Sequence, residues 1–269
     1  MKLSERQKRE KEFYEEYSQK YDYSQKINFD PINLPLKEGK RRPWNSYWEV
    51  FSWAIDQYQS GMKLLDFGSG PGHNALLFST IGYNVTGFDI SNSNIVVASK
   101  LFQINNVDTS KFKFVEAAAE NLPFEPDYFD IICGVDILHH VEINKSLLEC
   151  KRTLKPRGKI LFREPLEVKI LDKIRNIKIV KFFFPKEMSL DKHITHDEKK
   201  LTNEDIKTIK TIFPKTKIKY FFLFARFDRF FRESTNPNPS LLERLDFYLF
   251  KLFPFLQPLG GAVLIEVEK

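Results

Sequence analysis

Three glycines and two aspartates at fixed spacing are the residues of this chain best suited to hold a ligand. An apolar run ends at Asp66, and Gly68, Gly70 and Gly72 follow at alternate positions. Glycines permit positive φ angles and close approach of backbone N–H groups, and the start of a following helix attracts an anion. Asp89, at the end of the next apolar run, can accept hydrogen bonds from both hydroxyls of a ribose. This order of strand, glycine turn, helix, strand and acid predicts the first half of a nucleotide-binding βαβ unit.

The spacing of the glycines separates two classes of nucleotide cofactor. A dinucleotide fingerprint reads G-x-G-x-x-G, and His73 stands where its third glycine would fall. The pattern D-x-G-x-G-x-G, from Asp66 to Gly72, instead resembles motif I of the class I S-adenosylmethionine (SAM) methyltransferases. A nicotinamide-type site and a tight turn without any ligand are the two alternatives.

Four further segments, in the order of that family, extend the resemblance. They are Glu116-Ala-Ala-Ala-Glu-Asn-Leu-Pro-Phe124 with Asp127-Tyr-Phe-Asp130, Gly134-Val-Asp-Ile-Leu-His-His-Val141, Leu154-Lys-Pro-Arg-Gly-Lys159, and Glu164-Pro165. The resemblance is good over 62–165 and weaker outside that span. It implies a Rossmann-like α/β fold with SAM as the cofactor.

The resemblance also implies which residues surround SAM. These are Asp66, Gly68, Ser69, Gly70, Gly72, Asp89, Ile90, Ala119, Glu120 and Val135. The glycine turn would line the methionine and ribose with Asp66 beneath it, and Asp89 would hold the ribose hydroxyls. Ala118 stands where the family usually has an adenine-binding Asp, so either Glu120 replaces that Asp or adenine is held more loosely.

His139, His140 and Glu164 are the candidate catalytic residues. SAM carries an activated methyl group, so a protein that uses it must mainly bind, align and exclude water. A hydroxyl acceptor also needs a base, and histidine is the usual one near neutral pH. The two histidines follow the predicted fourth strand and Glu164 ends the fifth, at the edge where open α/β sheets place their sites. A purely structural role is the alternative for each of them.

Composition and charge limit the class of protein. The chain has 269 residues, of which 42% are hydrophobic, and a net charge of +6. Its first residues are polar, and no run approaches the ~20 apolar residues of a membrane span. Cys133 and Cys150 lack CxxC or metal-ligand spacing, so no disulfide or metal site is indicated and a cytoplasmic location is expected. The positive charge permits an acidic partner, but the lysines are spread widely, which favours a solvated basic surface.

Alternating apolar and amphipathic segments predict an α/β fold with a parallel, doubly wound sheet, which two final strands would complete to seven. Strands are expected at 63–67, 84–89, 112–116, 128–134, 158–163, 216–225 and 261–267. Helices are expected at 43–59, 73–81, 92–105, 143–154 and 203–212. A further amphipathic helix within 3–26 carries several aromatic residues. The resemblance suggests that Tyr17 or Tyr21 closes over the cofactor, and packing alone is the alternative.

The chain divides into three parts of one domain. They are an N-terminal helical cap at 1–61, the SAM-binding core at 62–165, and 166–269, which holds the final two strands. Within the last part, 166–201 has the position of a substrate lid, where His193 and His196 are expected to be loop residues. The apolar segment 226–260 has four interpretations: packing over the sheet, a pocket wall, a homodimer face, or a peripheral membrane contact.

The sequence therefore predicts a SAM-dependent methyltransferase. Its expected acceptor is an O or N atom of a small molecule, a lipid precursor or a sugar-containing metabolite. Nucleic acid is not favoured, because the chain contains no RNA-binding module. Two alternatives stay open: a non-catalytic SAM-binding or scaffold protein, and a methyltransferase that acts on a macromolecule.

Overall fold

A mixed seven-stranded sheet forms the centre of the fold. In this computed structural model, residues 3–19, 41–168, 199–230 and 240–269 are described. The strands are Lys63–Phe67 (β1), Asn84–Asp89 (β2), Phe112–Glu116 (β3), Phe129–Val135 (β4), Leu154–Pro165 (β5), Thr216–Phe221 (β6) and Ala262–Glu268 (β7). Their order across the sheet is β3-β2-β1-β4-β5-β7-β6, and β7 runs antiparallel to both of its neighbours.

Helices flank the sheet, and polar residues ahead of them explain where several begin. The helices are Glu5–Ser18 (α1), Ser46–Gln57 (α2), His73–Ile81 (α3), Asn92–Ile104 (α4), Ile143–Thr153 (α5), Asn203–Ile212 (α6) and Leu241–Leu252 (α7). Ser4 caps α1 in a capping box with Gln7, and the Asn45 side chain accepts hydrogen bonds from the first backbone N–H groups of α2. Thr202 caps α6 in the same way as Ser4 caps α1.

Two apolar cores lie on opposite faces of the sheet. Leu64 joins one core and Leu65 the other, because successive side chains of a strand point to opposite faces. The core that contains Leu64 packs the sheet against α2 and α3. The core that contains Leu65 packs it against α5 and α6. Nearly all of β1 is buried, as expected for a central parallel strand.

The predicted α/β fold with its doubly wound, seven-stranded sheet is confirmed, with corrections at its edges. The sixth strand ends at Phe221 and not at residue 225, because Phe222 has a φ of +67° and turns the chain away from the sheet. The fifth strand begins at Leu154, four residues before its predicted start at 158. Tyr21, His193, His196 and most of the expected lid lie outside the described residues.

The sheet reverses its winding between β1 and β4. From β1 the chain moves outward to β2 and β3, and from β4 it moves outward in the other direction to β5. Open α/β sheets bind ligands at such a point, outside the carboxyl ends of the strands. Within the described ranges, none of the helices combines the length and apolar character that a membrane crossing demands.

Candidate active site

A cavity of about 310 Å³ opens at the carboxyl ends of β1, β2 and β4. This volume falls within the range of ~300–1,000 Å³ that is usual for small-molecule sites. The predicted cofactor residues that line the cavity are Gly68, Ser69, Gly70, Asp89, Ile90, Ala119, Glu120 and Val135. Asp66 and Gly72 are not part of its wall: Asp66 lies in β1, and Gly72 directly precedes α3.

The glycine turn has the backbone geometry that its sequence requires. Gly68, Gly70 and Gly72 have φ angles of +74°, +50° and +87°, which L side chains rarely adopt. A Cβ at Gly68 would lie 2.5 Å from the Cδ1 atom of Ile137, whereas one at Gly70 would meet no protein atom within 4 Å. Gly72 is the N-cap of α3 and provides no side-chain cap. The first N–H groups of this helix are therefore suited to an anionic group of a ligand.

Asp89 ties the glycine turn to the end of β2. Its carboxylate accepts hydrogen bonds from the backbone N–H of Gly70 at 3.0 Å and of Ser91 at 2.8 Å, and from Asn94 Nδ2 at 3.2 Å. Burial raises the pKa of this carboxyl, and the hydrogen bonds oppose the rise. A carboxylate offers about four lone-pair sites. Asp89 can therefore position the turn and still accept one hydrogen bond from a ribose hydroxyl.

Asp66 is a buried acid beneath the turn. Its side chain is 1% exposed, and burial raises its pKa to about 7, although a hydrogen bond from the backbone N–H of Ala75 opposes the rise. No group of the described chain donates to its Oδ2 atom. A buried acceptor without a donor, next to an uncapped helix start, fits a zwitterion that brings both an ammonium and a carboxylate. The methionine part of SAM has both groups.

Helix α1 covers the cavity with one polar face. Gln7, Glu10 and Tyr14, at positions i, i+3 and i+7, all line the cavity. Tyr14 Oη lies 3.2 Å from His140 Nε2, and Glu10 Oε2 lies 3.2 Å from His140 Nδ1. Gln7 Nε2 donates to Glu120 Oε2 at 2.7 Å. The helix thus contributes directly to the site and contacts the histidine that follows β4.

The sequence interpretation missed these three residues of α1. It left open whether Tyr17 or Tyr21 closes over the cofactor or only packs, and Tyr17 stacks on Phe13 and does not line the cavity. The spacing of a glutamine, a glutamate and a tyrosine on one helix face was the available signal. Nothing local in the sequence connects that face to a histidine 126 residues further along the chain.

The three candidate catalytic residues occupy different places. His140 lines the cavity, whereas His139 and Glu164 lie beneath the turn that follows β4. Glu164 is fully buried, and its Oε1 accepts hydrogen bonds from the backbone N–H of Ile137 at 2.9 Å and of Leu138 at 2.7 Å. Its Oε2 lies 2.7 Å from His139 Nδ1. Glu164 therefore fixes the turn that presents His140.

Glu120, the expected substitute for the missing adenine-binding Asp, already has two partners. Besides Gln7, the backbone N–H of Glu142 donates to its Oε1 at 2.8 Å. Ala118 lines a neighbouring cavity and not this one. The assignment of Glu120 to adenine remains a prediction from the resemblance.

Comparisons with known proteins agree with this fold. Residues 65–162 match the sequence model of a family described as a methyltransferase domain. The ubiquinone/menaquinone biosynthesis C-methyltransferase UbiE of Bartonella bacilliformis is 34% identical over 158 residues, which cover 56% of this chain and 59% of that protein. The uncharacterized methyltransferase YcgJ of Bacillus subtilis is 37% identical over 100 residues, covering 37% of this chain and 39% of that protein. The chain thus spans less than two thirds of the length of these curated relatives.

Solved structures share the fold. The crystal structure of YcgJ superposes with a TM-score of 0.52 at 20% identity, covering 82% of this chain and 98% of that chain. The cyclase SpnF superposes with a TM-score of 0.54 at 14% identity, covering 90% and 94% of the two chains. Residues 65–162 therefore resemble methyltransferase domains in sequence, and the chain shares its fold with these solved structures. Because a cyclase has the same fold, the reaction must be argued from the residues of the site.

Proposed function

We propose that this chain binds SAM in the 310 Å³ cavity and transfers its methyl group to a small acceptor that His140 deprotonates. The observation that carries the proposal is the pair of contacts made by His140. One ring nitrogen faces a buried glutamate and the other faces a tyrosine hydroxyl in the cavity wall. The glycine turn and Asp89 line the same cavity, so a base and a cofactor cradle share one space.

The residues present fit SAM. The start of α3 would receive the carboxylate of the cofactor, Asp66 would accept from its ammonium through water, and Asp89 would hold the ribose. SAM supplies a methyl group that is already activated for displacement. The protein then has to align the acceptor and keep water away, and α1 is placed across the cavity to do so.

Glu10 lies beside the histidine. Its carboxylate oxygen is 3.2 Å from Nδ1, a distance at which it can stabilise a positive charge on the imidazole, while Nε2 faces the Tyr14 hydroxyl. An acceptor hydroxyl that replaces the Tyr14 hydroxyl, or hydrogen-bonds to it, can pass its proton to Nε2 as it attacks. Glu10 then stabilises the imidazolium that forms. His139 and Glu164 act as positioning residues through the turn beneath His140.

This chemistry limits the acceptor. A base is useful when the acceptor carries a hydroxyl, and the negative charge then lies on oxygen or on a conjugated carbon. The sequence resemblance favoured an O or N acceptor, whereas the relatives named UbiE are C-methyltransferases. A phenol- or enol-type small molecule fits both the base and these names, because its anion can be methylated at either atom.

A non-catalytic SAM-binding protein is the second candidate, and Ala118 is the observation that favours it. The test is turnover by the full chain with methyl-labelled SAM and an extract of small metabolites. Release of S-adenosylhomocysteine together with a labelled product, both lost in His140→Asn, supports the proposal. Tight SAM binding without release of S-adenosylhomocysteine in any extract would refute it and favour the second candidate.

A further inference from the structure

Helix α7 carries exposed apolar side chains on one face. These four residues, here called the α7 stripe, are Leu241, Leu245, Tyr248 and Leu252, at positions i, i+4, i+7 and i+11. Leu241 is 81% exposed and Leu252 is 71% exposed. The opposite face holds Asp246 and Phe250, which are buried against the rest of the protein. The stripe is thus the outer face of a helix whose inner face is already packed.

Exposed aromatic residues extend the stripe at its carboxyl end and along its side. Phe253 and Phe255 follow the helix directly, and Phe255 is 74% exposed. Phe224 is also exposed, and its backbone N–H donates to the Asp246 carboxylate at 2.9 Å, which places it beside α7. Scattered single apolar residues need no explanation, but a contiguous group of this kind marks an interaction surface.

The basic and acidic side chains of α7 lie on different sides of the helix. Arg244 and Lys251 are exposed and lie on the same flank of the stripe. The two acids turn toward the protein: Glu243 Oε1 accepts from Asn45 Nδ2 at 2.6 Å, and Asp246 accepts from the backbone N–H groups of Phe224 and Ala225. The outer surface of the helix therefore combines leucine and aromatic side chains with cations alone. Interfacial helices on anionic lipid have this composition.

Helix α7 begins near the same edge of the sheet as the cavity. Pro165, at the carboxyl end of β5, pairs with Ala262, and so does Phe221, at the carboxyl end of β6. Asn74 of the cavity wall accepts a hydrogen bond from Tyr47 Oη of α2 at 2.7 Å, and Asn45, the cap of α2, contacts α7. Helix α2 and its cap thus contact both the wall of the cavity and the start of α7.

We propose that the α7 stripe docks on the surface of an anionic phospholipid bilayer. The apolar residues would enter the boundary between headgroups and acyl chains, and Arg244 and Lys251 would pair with lipid phosphates. A second copy of this chain is the weaker candidate, because a twofold contact through the stripe would bring the cations of both copies together. The net charge of +6 also favours an anionic surface.

Docking in this way would hold the cavity edge close to the lipid. An acceptor with a hydroxylated head and an apolar chain could then be methylated without leaving the bilayer. This consequence rests on the function proposed above, whereas the docking itself does not.

The test is flotation of the full chain with vesicles of phosphatidylcholine, with and without phosphatidylglycerol. We expect flotation only with phosphatidylglycerol. The double variant Leu252→Glu with Phe255→Glu should lower the bound fraction by about tenfold or more, and so should Arg244→Gln with Lys251→Gln. Leu148→Glu is the matched control, since Leu148 is 50% exposed on α5, away from the stripe, and should float like the wild type.

Two outcomes would overturn docking. One is equal flotation of the wild type and the Leu252→Glu, Phe255→Glu variant. The other is no flotation of the wild type together with a dimer, in sedimentation equilibrium, that the same variant abolishes. Calorimetric titration with SAM on each variant separates this result from the proposed function, because loss of docking should leave SAM affinity unchanged.

Discussion

The Glu10 carboxylate on the N-terminal helix lies 3.2 Å from Nδ1 of His140, on the turn after the fourth strand. Both side chains are almost completely buried, and Tyr14 completes the group on the other nitrogen of the same imidazole. A helix that precedes the alternating strands and helices therefore supplies two side chains that contact the proposed base. Helix α1 therefore does more than cover the cavity, because Glu10 and Tyr14 contact His140 directly.

Removal of the Tyr14 hydroxyl should slow turnover without preventing folding. The Tyr14→Phe variant loses a hydrogen bond of about 1 kcal/mol to His140, so we expect a fall in kcat of about fivefold. Steady-state kinetics with the acceptor found in the extract screen would measure it. Tyr17→Phe is the matched control, because Tyr17 lies on the same helix and does not line the cavity. Equal rates for the two variants would remove Tyr14 from the mechanism.

Replacement of His140 should separate catalysis from cofactor binding. The His140→Asn variant keeps a polar side chain but has no base, so we expect kcat to fall by about 10²–10⁴-fold. Its affinity for SAM should match that of the wild type, since the glycine turn and Asp89 are intact. Full turnover in this variant would show that another group, or none, removes the proton.

Glu164 should matter first for stability. The Glu164→Ala variant leaves the buried N–H groups of Ile137 and Leu138 without an acceptor, at a cost of about 2–4 kcal/mol in the free energy of unfolding. Glu164→Gln retains an acceptor oxygen and should lose less. Urea denaturation would measure both, with the exposed Glu125→Ala as control. A loss of activity in Glu164→Gln at unchanged stability would instead indicate a direct chemical role.

Asp66 should make stability depend on pH in a defined direction. Its pKa is raised from 3.8 to about 7 in the folded protein, so between these values the folded state binds more protons than the unfolded state. The free energy of unfolding therefore falls as the pH rises from 4 to 7. The fall is about 4 kcal/mol, since the pKa shift is roughly three units and each unit corresponds to about 1.4 kcal/mol. Asp66→Asn does not titrate, so its stability relative to the wild type should increase across that window.

Urea denaturation at a series of pH values, at constant ionic strength, would test this. The exposed Asp56→Asn is the control and should show no such trend. A constant difference in stability between Asp66→Asn and the wild type would mean that Asp66 is ionised in the folded protein throughout.

The glycine turn and the acid that ends β2 could be predicted from the sequence because their signals are local. Gly68, Gly70 and Gly72 need positive φ angles that glycine alone adopts easily, and Asp89 follows at a short distance along the chain. The role of α1 could not be predicted, since the contact between Tyr14 and His140 joins residues 126 positions apart. The apolar content of α7 was visible as well, but only packing decides that Phe250 points inward and Leu252 outward.

Calorimetric titration of the full chain with SAM, and separately with NADH, tests the central claim most directly. We predict SAM binding in the micromolar range and no NADH binding. Asp89→Asn should weaken SAM binding by about tenfold or more, since it removes a charged acceptor of the ribose hydroxyls. Binding of NADH, or SAM affinity that Asp89→Asn leaves unchanged, would contradict the assignment of this cavity to SAM.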